Sequence, residues 1–187
     1  MAVQGFWYMA DVLTAAEERQ LLANLAEEPY APIAMRGQTT RREIVSYGRA
    51  FAPYVGTLPP APPIPTYLHG VRRKLARLVG IAPGPLVQSL ITRYPQGASI
   101  GWHRDHSDFG DTVLVLSLAG TAILDLRSGD TVSRTRVEPR SLYVLAGAAR
   151  TSYEHRVVAR ALRYSVTFRS LAGRVNEPVV PRRGTQR

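Results

Sequence analysis

The sequence predicts an α+β protein that is mainly β, in which two N-terminal helices precede a run of mostly antiparallel strands that closes a sandwich or barrel. Helical apolar spacing occurs before residue 81, whereas short β-branched and aromatic segments separated by Gly, Pro or Asp follow from Leu86 onward. The length of 187 residues and the hydrophobic content of 45% suit one domain with a substantial core. Disordered and fibrous classes are therefore excluded.

Two segments have the features of amphipathic helices. Residues 14–28 begin with a Thr-x-x-Glu capping box and end before a proline. Residues 65–80 begin with a proline, carry one apolar stripe and end in a glycine. Between them, residues 29–64 are irregular and rich in Pro, Arg and Tyr, with one hairpin expected around residues 43–47.

The second half of the chain predicts strands. They are expected over residues 87–94, 112–120, 121–127, 131–137, 141–147 and 162–171. A hairpin turn is expected at Ser128 to Asp130. Residues 172–187 are basic, contain proline and lack periodicity, so we expect a flexible tail after a single domain that spans residues 1–171.

Charge and composition limit the partners of the chain. The formal net charge of +10 favours anionic partners such as nucleic acid, although the excess is almost all arginine and Lys74 is the only lysine. The absence of cysteine excludes disulfides, thiolate metal sites and cysteine nucleophiles. The N-terminus lacks a secretory signal pattern, and the apolar stretch at residues 113–126 is too short and interrupted to span a bilayer. We therefore expect a cytoplasmic monomer that does not associate with membranes.

The last predicted strand alternates strictly between apolar and polar residues. One face carries Leu162, Tyr164, Val166 and Phe168, and the other carries Arg163, Ser165, Thr167 and Arg169. A solvated face on an edge strand is one interpretation. Two arginines and two hydroxyl groups are also what a bound dicarboxylate needs, because arginine donates paired hydrogen bonds to a carboxylate.

A short His-x-Asp sequence is a candidate metal site. His103 and Asp105 point the same way if their segment is extended, and imidazole with carboxylate suits Fe(II), Mn(II) or Zn(II). This pair is common by chance, so the interpretation requires a third ligand. If His155 joins the pair, the set is two histidines and one carboxylate, which is the signature of non-haem Fe(II) oxygenases.

The order of these pieces is more specific than any one of them. ITRYPQGASIGWHRD, TVLVLSLAG, EH and RYSVTFR follow one another between about Leu90 and Leu171. This half of the chain resembles the AlkB-like family of Fe(II)- and 2-oxoglutarate-dependent dioxygenases. The resemblance implies a double-stranded β-helix, or jelly roll, as a catalytic core over residues 86–171, with the two N-terminal helices packed on it. Residues 29–64, which include REIVSYGRAFAPYVG, are less closely similar to the nucleotide-recognition lid of the family.

The resemblance also implies an activity. His103, Asp105 and His155 would bind Fe(II), and the enzyme would use 2-oxoglutarate and O2 to hydroxylate a substrate C–H bond. An N-methyl base hydroxylated in this way loses formaldehyde. Because a base inside a duplex cannot reach a buried iron, the enzyme would flip the base or act on single strands.

Five residues are assigned to 2-oxoglutarate by the same resemblance. Tyr94 would hydrogen-bond the co-substrate, Arg163 would pair with its distal carboxylate, and Arg169 would lie near the keto-acid end with Ser165 assisting. Thr92 and Ser165 stand at positions where the family often carries Asn, and both retain a hydrogen-bonding group with a shorter reach.

Five further residues are candidate substrate contacts. Tyr47, Tyr54 and Trp102 could stack on a flipped base, and packing in the core is the alternative for each. Arg41 and Arg42 could contact phosphates, for which a solvated basic loop is the alternative.

Three hypotheses of function follow. The first is a dioxygenase that demethylates or hydroxylates alkylated bases of DNA or RNA. The second is a 2-oxoglutarate-dependent hydroxylase of a protein or small molecule, which would use the same iron site. The third is a non-enzymatic, basic nucleic-acid-binding module. DNA repair itself does not follow from the resemblance. Well-studied repair members often carry an acidic residue soon after the His-x-Asp, which they use near the target base. Here the sequence after Asp105 is His106-Ser107-Asp108, so we assign no residue to that role.

Overall fold

The computed structural model describes residues 3–35, 38–50 and 58–173. The helices are α1 (Ala15–Ala26), α2 (Thr66–Leu78) and α3 (Gly147–Thr151). The strands are β1 (Phe6–Met9), β2 (Ala31–Met35), β3 (Gln38–Tyr47), β4 (Gln88–Tyr94), β5 (Ser99–His103), β6 (Phe109–Leu118), β7 (Ala122–Ser128), β8 (Thr131–Val137), β9 (Ser141–Ala146), β10 (Glu154–Ala159) and β11 (Arg163–Leu171).

The strands of the described residues form two sheets. The major sheet has seven strands in the order β1-β9-β6-β11-β4-β3-β2, and the minor sheet has four in the order β5-β10-β7-β8. The pairings between named strands are antiparallel. This arrangement confirms the mainly β class and agrees with the double-stranded β-helix implied by the resemblance.

The two predicted helices form close to their expected boundaries. The Thr14 hydroxyl accepts the Glu17 amide at 3.2 Å and the Glu17 carboxylate accepts the Thr14 amide at 2.7 Å, which completes the capping box. Lys74 of α2 donates to the same Glu17 carboxylate at 2.7 Å and joins the two helices. The described helices include none that is long and apolar enough to cross a membrane.

The major sheet has a different core on each face. Its helix-side face packs against α1 and α2 through buried Leu, Ile, Val and Phe side chains. Its inner face packs against the minor sheet through a second apolar cluster that includes Val115, Leu124 and Val157. Because strand side chains alternate, β1, β6 and β9 contribute apolar side chains to both clusters. Residues that face the minor sheet are therefore separated from the helices.

Strand β11 shows this division most clearly. Tyr164, Val166 and Phe168 pack in the helix-side core, as the alternation predicts. The interpretation of the opposite face as solvated is wrong, because that face points between the sheets. Its residues Arg163, Ser165, Thr167 and Arg169 are 0%, 3%, 6% and 6% exposed. Leu162 precedes the strand and is half exposed, so it does not join the apolar face.

Several local predictions require correction. A hairpin was expected at residues 43–47. These residues are instead the second half of β3, which forms a longer hairpin with β2. The sequence analysis did not predict β1, β5, β10 or α3. The predicted turn at Ser128 to Asp130 is present, and Gly129 adopts the positive φ of 55° that this tight connection requires.

Candidate metal and cofactor site

A cavity of about 610 Å³ lies between the inner faces of the two sheets. Inward side chains of β4, β6, β9 and β11 form its floor, and β5 and β10 form the opposite wall. The β2–β3 hairpin lines one side through Ile33, Thr40, Arg42 and Ile44, and Leu58 also lines the cavity. The region that resembles a recognition lid therefore borders the same cavity as the predicted metal residues.

The three predicted metal residues converge in this cavity. Strands β5 and β10 are neighbours, and their register places His155 directly opposite His103, with 4.1 Å between the ring centroids. Asp105 follows two residues after His103, beyond the end of β5. The ligand atoms of the three residues lie within 4.8 Å of one another, and no other such group of His, Cys, Asp or Glu occurs in the part of the chain that the structure describes. One ion could contact all three.

Asp105 is a buried carboxylate with one oxygen free for a ligand. Its Oδ1 accepts a hydrogen bond from Arg169 at 2.7 Å, and only 6% of its side chain is exposed. Its Oδ2 is buried and has no hydrogen-bond partner among the described residues. Burial alone raises the pKa of this carboxyl, but the surrounding positive charge, chiefly that of Arg169, outweighs burial and lowers the pKa. The group is therefore an oriented anion.

The two histidines are held as neutral imidazoles. Burial lowers the pKa of both rings, and it lowers that of His155 to about 3. The Nδ1 atom of His103 lies 2.8 Å from the carbonyl oxygen of Gly101, which can only accept, so Nδ1 carries the proton and Nε2 keeps the lone pair. Neutral imidazole with a fixed tautomer is the form that binds a metal.

The loop that carries Asp105 is held by Arg150 of α3. Its guanidinium donates to the carbonyl oxygen of His106 at 2.8 Å and to those of Asp105 and Phe109 at 3.3 Å each. Sequence reasoning missed this residue. The one local signal was a single charged side chain among small residues in GAART, and only the tertiary contact shows what it binds.

Arg163 lies where the resemblance predicts a carboxylate-binding group. It is fully buried, its Nε donates to the Ser117 hydroxyl at 2.9 Å, and its guanidinium lies 5.1 Å from the Tyr94 ring centroid. Neither Nη atom has a hydrogen-bond partner among the described residues. Burial raises the pKa of nearby Tyr143 to about 12, and the charge of Arg163 opposes that rise. Arg163 is thus a buried cation whose two terminal donors are free for an anion.

The remaining residues assigned to 2-oxoglutarate lie on the same wall. Ser165 of β11 pairs with Thr92 of β4, and both are almost fully buried against the cavity. Tyr94 is the register partner of Arg163. Arg169, at the other end of β11, donates to Gln88 at 3.1 Å and to the Asp105 carboxylate, which places it at the metal end.

These unpartnered atoms fit the groups that the resemblance implies. A divalent cation beside Asp105 would satisfy its free Oδ2 and accept the lone pairs of two neutral imidazoles. A carboxylate beside Arg163 would satisfy two buried donors that otherwise lack partners. The metal residues line the cavity, and Arg163 lies beside Tyr94, which lines the same cavity, so a dicarboxylate that reaches Arg163 would enter past Tyr94.

The candidate substrate residues divide into different environments. Tyr47 points away from the cavity, packs beside the helix-side core and donates its hydroxyl to Glu28, so the structure corrects the expectation that it stacks on a base. Arg41 is exposed and donates to the Gln96 carbonyl at 3.1 Å. Tyr54 lies outside the described residues.

Trp102 and Arg42 both border the cavity. Trp102 is half-buried, and the guanidinium groups of Arg127 and Arg156 lie 4.3 and 4.6 Å from its ring centroid, so packing in the core is not its role. Arg42 is only 3% exposed, which contradicts the expectation of a solvated or phosphate-contacting side chain.

Comparisons with known proteins were made by sequence and by structure. Residues 5–176 match the family model described as the 2OG-Fe(II) oxygenase superfamily. Over 180 residues the chain is 27% identical to a protein of Arabidopsis thaliana named "Alkylated DNA repair protein ALKBH8 homolog", which covers 82% of this chain and 50% of that protein. The chain therefore spans about half the length of that relative. It is also 24% identical over 188 residues to "Uncharacterized protein L905" of Acanthamoeba polyphaga mimivirus, covering 90% and 86% of the two chains.

Solved structures share the fold at low sequence identity. "The structure of OsALKBH1" superposes with a TM-score of 0.70 at 15% identity and covers 91% of this chain and all of that one. A Trichoplax adhaerens prolyl hydroxylase in complex with a peptide fragment has a TM-score of 0.59 at 17% identity and covers 89% and 83%. A 2OG-Fe(II) oxygenase family oxidoreductase of Burkholderia pseudomallei has a TM-score of 0.60 at 19% identity and covers 91% and 89%.

Proposed function

This chain belongs to the 2OG-Fe(II) oxygenase superfamily, and from that premise we propose that it oxidises alkylated bases of nucleic acids. The protein is an oxidoreductase that uses Fe(II), 2-oxoglutarate and O2. When bound, these groups would supply the oxidation of a substrate C–H bond to C–OH, with one oxygen atom of O2 entering the product and the other entering succinate as 2-oxoglutarate loses CO2. The residues of the chain bind, orient and shield the reactants.

His103, Asp105 and His155 are proposed to hold the iron. Two neutral imidazoles and one carboxylate leave coordination positions for the co-substrate and O2. Arg169 orients the carboxylate through Oδ1 and leaves Oδ2 for the metal. Arg150 keeps the loop of Asp105 in place through three backbone carbonyls.

The β4–β11 wall is proposed to hold 2-oxoglutarate. Arg163 would receive the distal carboxylate on its two free Nη atoms, with Tyr94 beside it. Thr92 and Ser165 supply hydroxyl groups along the same wall. The observation that carries this assignment is that the free Asp105 oxygen lies at the cavity, while the free Arg163 donors lie behind its wall, beside the ring of Tyr94, which lines it.

A nucleic-acid substrate is supported by charge, by position and by a relative. The net charge of +10 favours a polyanion. The region that resembles a recognition lid borders the cavity, and the Arabidopsis relative is named for the repair of alkylated DNA. The fold does not select the substrate, because a prolyl hydroxylase shares it.

The arrangement of the chain is part of the same proposal. One catalytic domain covers residues 1–171, with a lid-like region at 29–64 and a catalytic core at 86–171. The basic tail predicted from residue 172 lies outside the described residues beyond residue 173. The proposal includes a monomeric state and a cytoplasmic location, with DNA or RNA as the substrate.

A coupled assay tests the proposal. The protein is incubated with Fe(II), 2-oxoglutarate and O2 and with methylated single- and double-stranded DNA and RNA, and succinate and formaldehyde are quantified. We expect formaldehyde in step with succinate for at least one methylated oligonucleotide, and neither product above background for its unmethylated counterpart. Succinate that rises with a peptide or small molecule, with no oligonucleotide active, would favour the second hypothesis. The non-enzymatic hypothesis is set aside by the family.

A further inference from the structure

The alternation of β3 directs one arginine of the hairpin into the cavity. Thr40, Arg42 and Ile44 are spaced by two residues and all line it. The intervening residues face away, because Arg41 donates to the Gln96 carbonyl and Glu43 pairs with Arg93 at 2.6 Å. The inward direction of Arg42 is therefore set by the strand and not by a free loop.

Arg42 is a buried cation that belongs to neither β11 nor the metal loop. Only 3% of the residue is exposed. It lines the cavity together with His103 and Tyr94. Arg42 therefore shares the cavity with a proposed metal ligand and with a residue assigned to 2-oxoglutarate, on the side that the hairpin contributes.

The surroundings of Arg42 suit a flat, neutral ring. Ile33, Ile44 and Leu58 also line the cavity, so apolar side chains accompany Arg42 in its wall. Burial of a group that binds there strengthens any interaction with the arginine, because water no longer screens the charge. A guanidinium donates hydrogen bonds and cannot accept them.

Alkylated bases differ in the charge and the edge that they present to such a group. Adenine methylated at N1 and cytosine methylated at N3 are cations at neutral pH and carry an amino donor. Uracil or thymine methylated at N3 and guanine methylated at N1 stay neutral and carry a carbonyl oxygen beside the methylated nitrogen. A buried guanidinium repels the first class and donates to the carbonyl of the second.

We infer that Arg42 selects neutral alkylated bases with a carbonyl oxygen beside the alkylated position over cationic alkylated bases. This inference rests on the proposed function, and it deepens that function by naming the class of base that the site accepts. It assigns Arg42 to substrate selection, whereas Arg163 and Arg169 of β11 are assigned to 2-oxoglutarate.

Matched oligonucleotides test the inference. Single strands of one sequence carry either 3-methyluracil or 1-methyladenine at the same position, and kcat/KM is measured from formaldehyde release. Binding is measured separately with Mn(II) and 2-oxoglutarate in the absence of O2. The variants are Arg42→Met, which removes the charge, and Arg42→Lys, which keeps it. Arg136→Met is the control for the loss of one positive charge, because Arg136 is exposed on β8.

The wild type is expected to prefer the 3-methyluracil strand in both measurements. Arg42→Met is expected to lower kcat/KM and affinity for that strand by about tenfold to a hundredfold, the usual effect of losing a hydrogen bond to a charged group, and to reduce the preference. Arg42→Lys is expected to lie between, and Arg136→Met to match the wild type. A rise in melting temperature with 2-oxoglutarate in each variant shows that the site is still folded.

Two results would overturn the inference alone. One is a preference for 1-methyladenine in the wild type, and the other is an unchanged preference in both Arg42 variants that retain the response to 2-oxoglutarate. If neither Arg42 variant retains that response, Arg42 supports the fold or the co-substrate site, and its assignment to base selection is wrong. A wild type that consumes 2-oxoglutarate but neither binds nor demethylates any methylated strand would overturn the proposed function as well.

Discussion

At the scale of one residue, the two carboxylate oxygens of Asp105 have different roles, because one fixes the orientation of the side chain and the other is available to a metal. One oxygen is paired with Arg169 and the other is buried without a partner among the described residues. We predict that Asp105→Asn weakens Mn(II) binding by at least about a hundredfold, because changes that only touch a ligand's partners already reach that size. The measurement is the rise in melting temperature with Mn(II). Asp108→Asn in the same loop is the control, and equal responses of the two variants would contradict the role of Asp105.

Arg163 is predicted to destabilise the protein that lacks 2-oxoglutarate and to be required for binding it. A buried cation with two unpartnered donors destabilises the protein without its ligand, so Arg163→Met is expected to keep or raise the melting temperature of that form. The same change removes the partner of the distal carboxylate, at a cost of about 2–5 kcal/mol in 2-oxoglutarate binding. Calorimetric titration in the presence of Mn(II) measures the affinity, and Arg160→Met is an exposed control. Unchanged affinity for 2-oxoglutarate would refute the assignment.

The two histidines predict how stability depends on pH. Burial lowers both pKa values from 6.5, that of His155 to about 3, so the unfolded chain binds protons that the folded chain excludes. This contribution to the free energy of unfolding is therefore full above about pH 6.5 and is lost as the pH falls from there towards 3. Urea denaturation of the metal-free protein at several pH values should show a weaker acid dependence in His155→Gln than in the wild type. His69→Gln, on α2, should keep the wild-type dependence. Identical slopes for wild type and His155→Gln would count against the buried neutral state.

At this scale the sequence predicted the ligand types but not their neighbours. His103, Asp105 and His155 follow from spacing and resemblance. Arg150 did not, and Arg42 was a candidate only for contact with phosphates, because an arginine in a basic chain gives no sign of whether it is buried. Their roles depend on strand direction and on a contact between α3 and the metal loop, which a single sequence does not reveal.

At the scale of elements, the metal site depends on how α3 holds the loop after β5. Arg150 reaches three carbonyl oxygens, which a lysine cannot do with one ammonium group. We predict that Arg150→Lys lowers Mn(II) affinity by about tenfold to a hundredfold while all three ligands remain in place. Titration with Mn(II) measures the affinity, with the melting temperature of the metal-free variant as a check on folding. An affinity equal to that of the wild type would show that the loop needs no such support.

Predictability also differed among elements. The alternation of strand β11 could be predicted, because RYSVTFR alternates polar and apolar residues. The burial of its polar face could not, because the same alternation is typical of a strand with one solvated face. Strands β5 and β10 could not, because SIGWH and EHRVVA are short and their pairing has a register irregularity. The elements that carry the two histidines were therefore the least evident in the sequence.

At the scale of the whole molecule, the two faces of the major sheet have different roles. One packs against the helices and stabilises the fold, and the other lines the cavity. Its helix-side face is filled by the larger apolar core, so its inner face can carry charged and polar side chains without exposing the interior. The fold class followed from helical spacing before residue 81 and strand spacing after it. The cavity did not, since it depends on how two sheets meet across pairings distant in sequence, such as β1 with β9 and β5 with β10.

A crystal of the protein grown with Mn(II) and 2-oxoglutarate in the absence of O2 tests the central claim most directly, by the anomalous scattering of the metal. We predict a single strong peak in contact with His103 Nε2, Asp105 Oδ2 and His155, and a dicarboxylate that extends from the metal to the Arg163 guanidinium. A metal bound elsewhere at full occupancy, or none at a saturating concentration, would contradict the account.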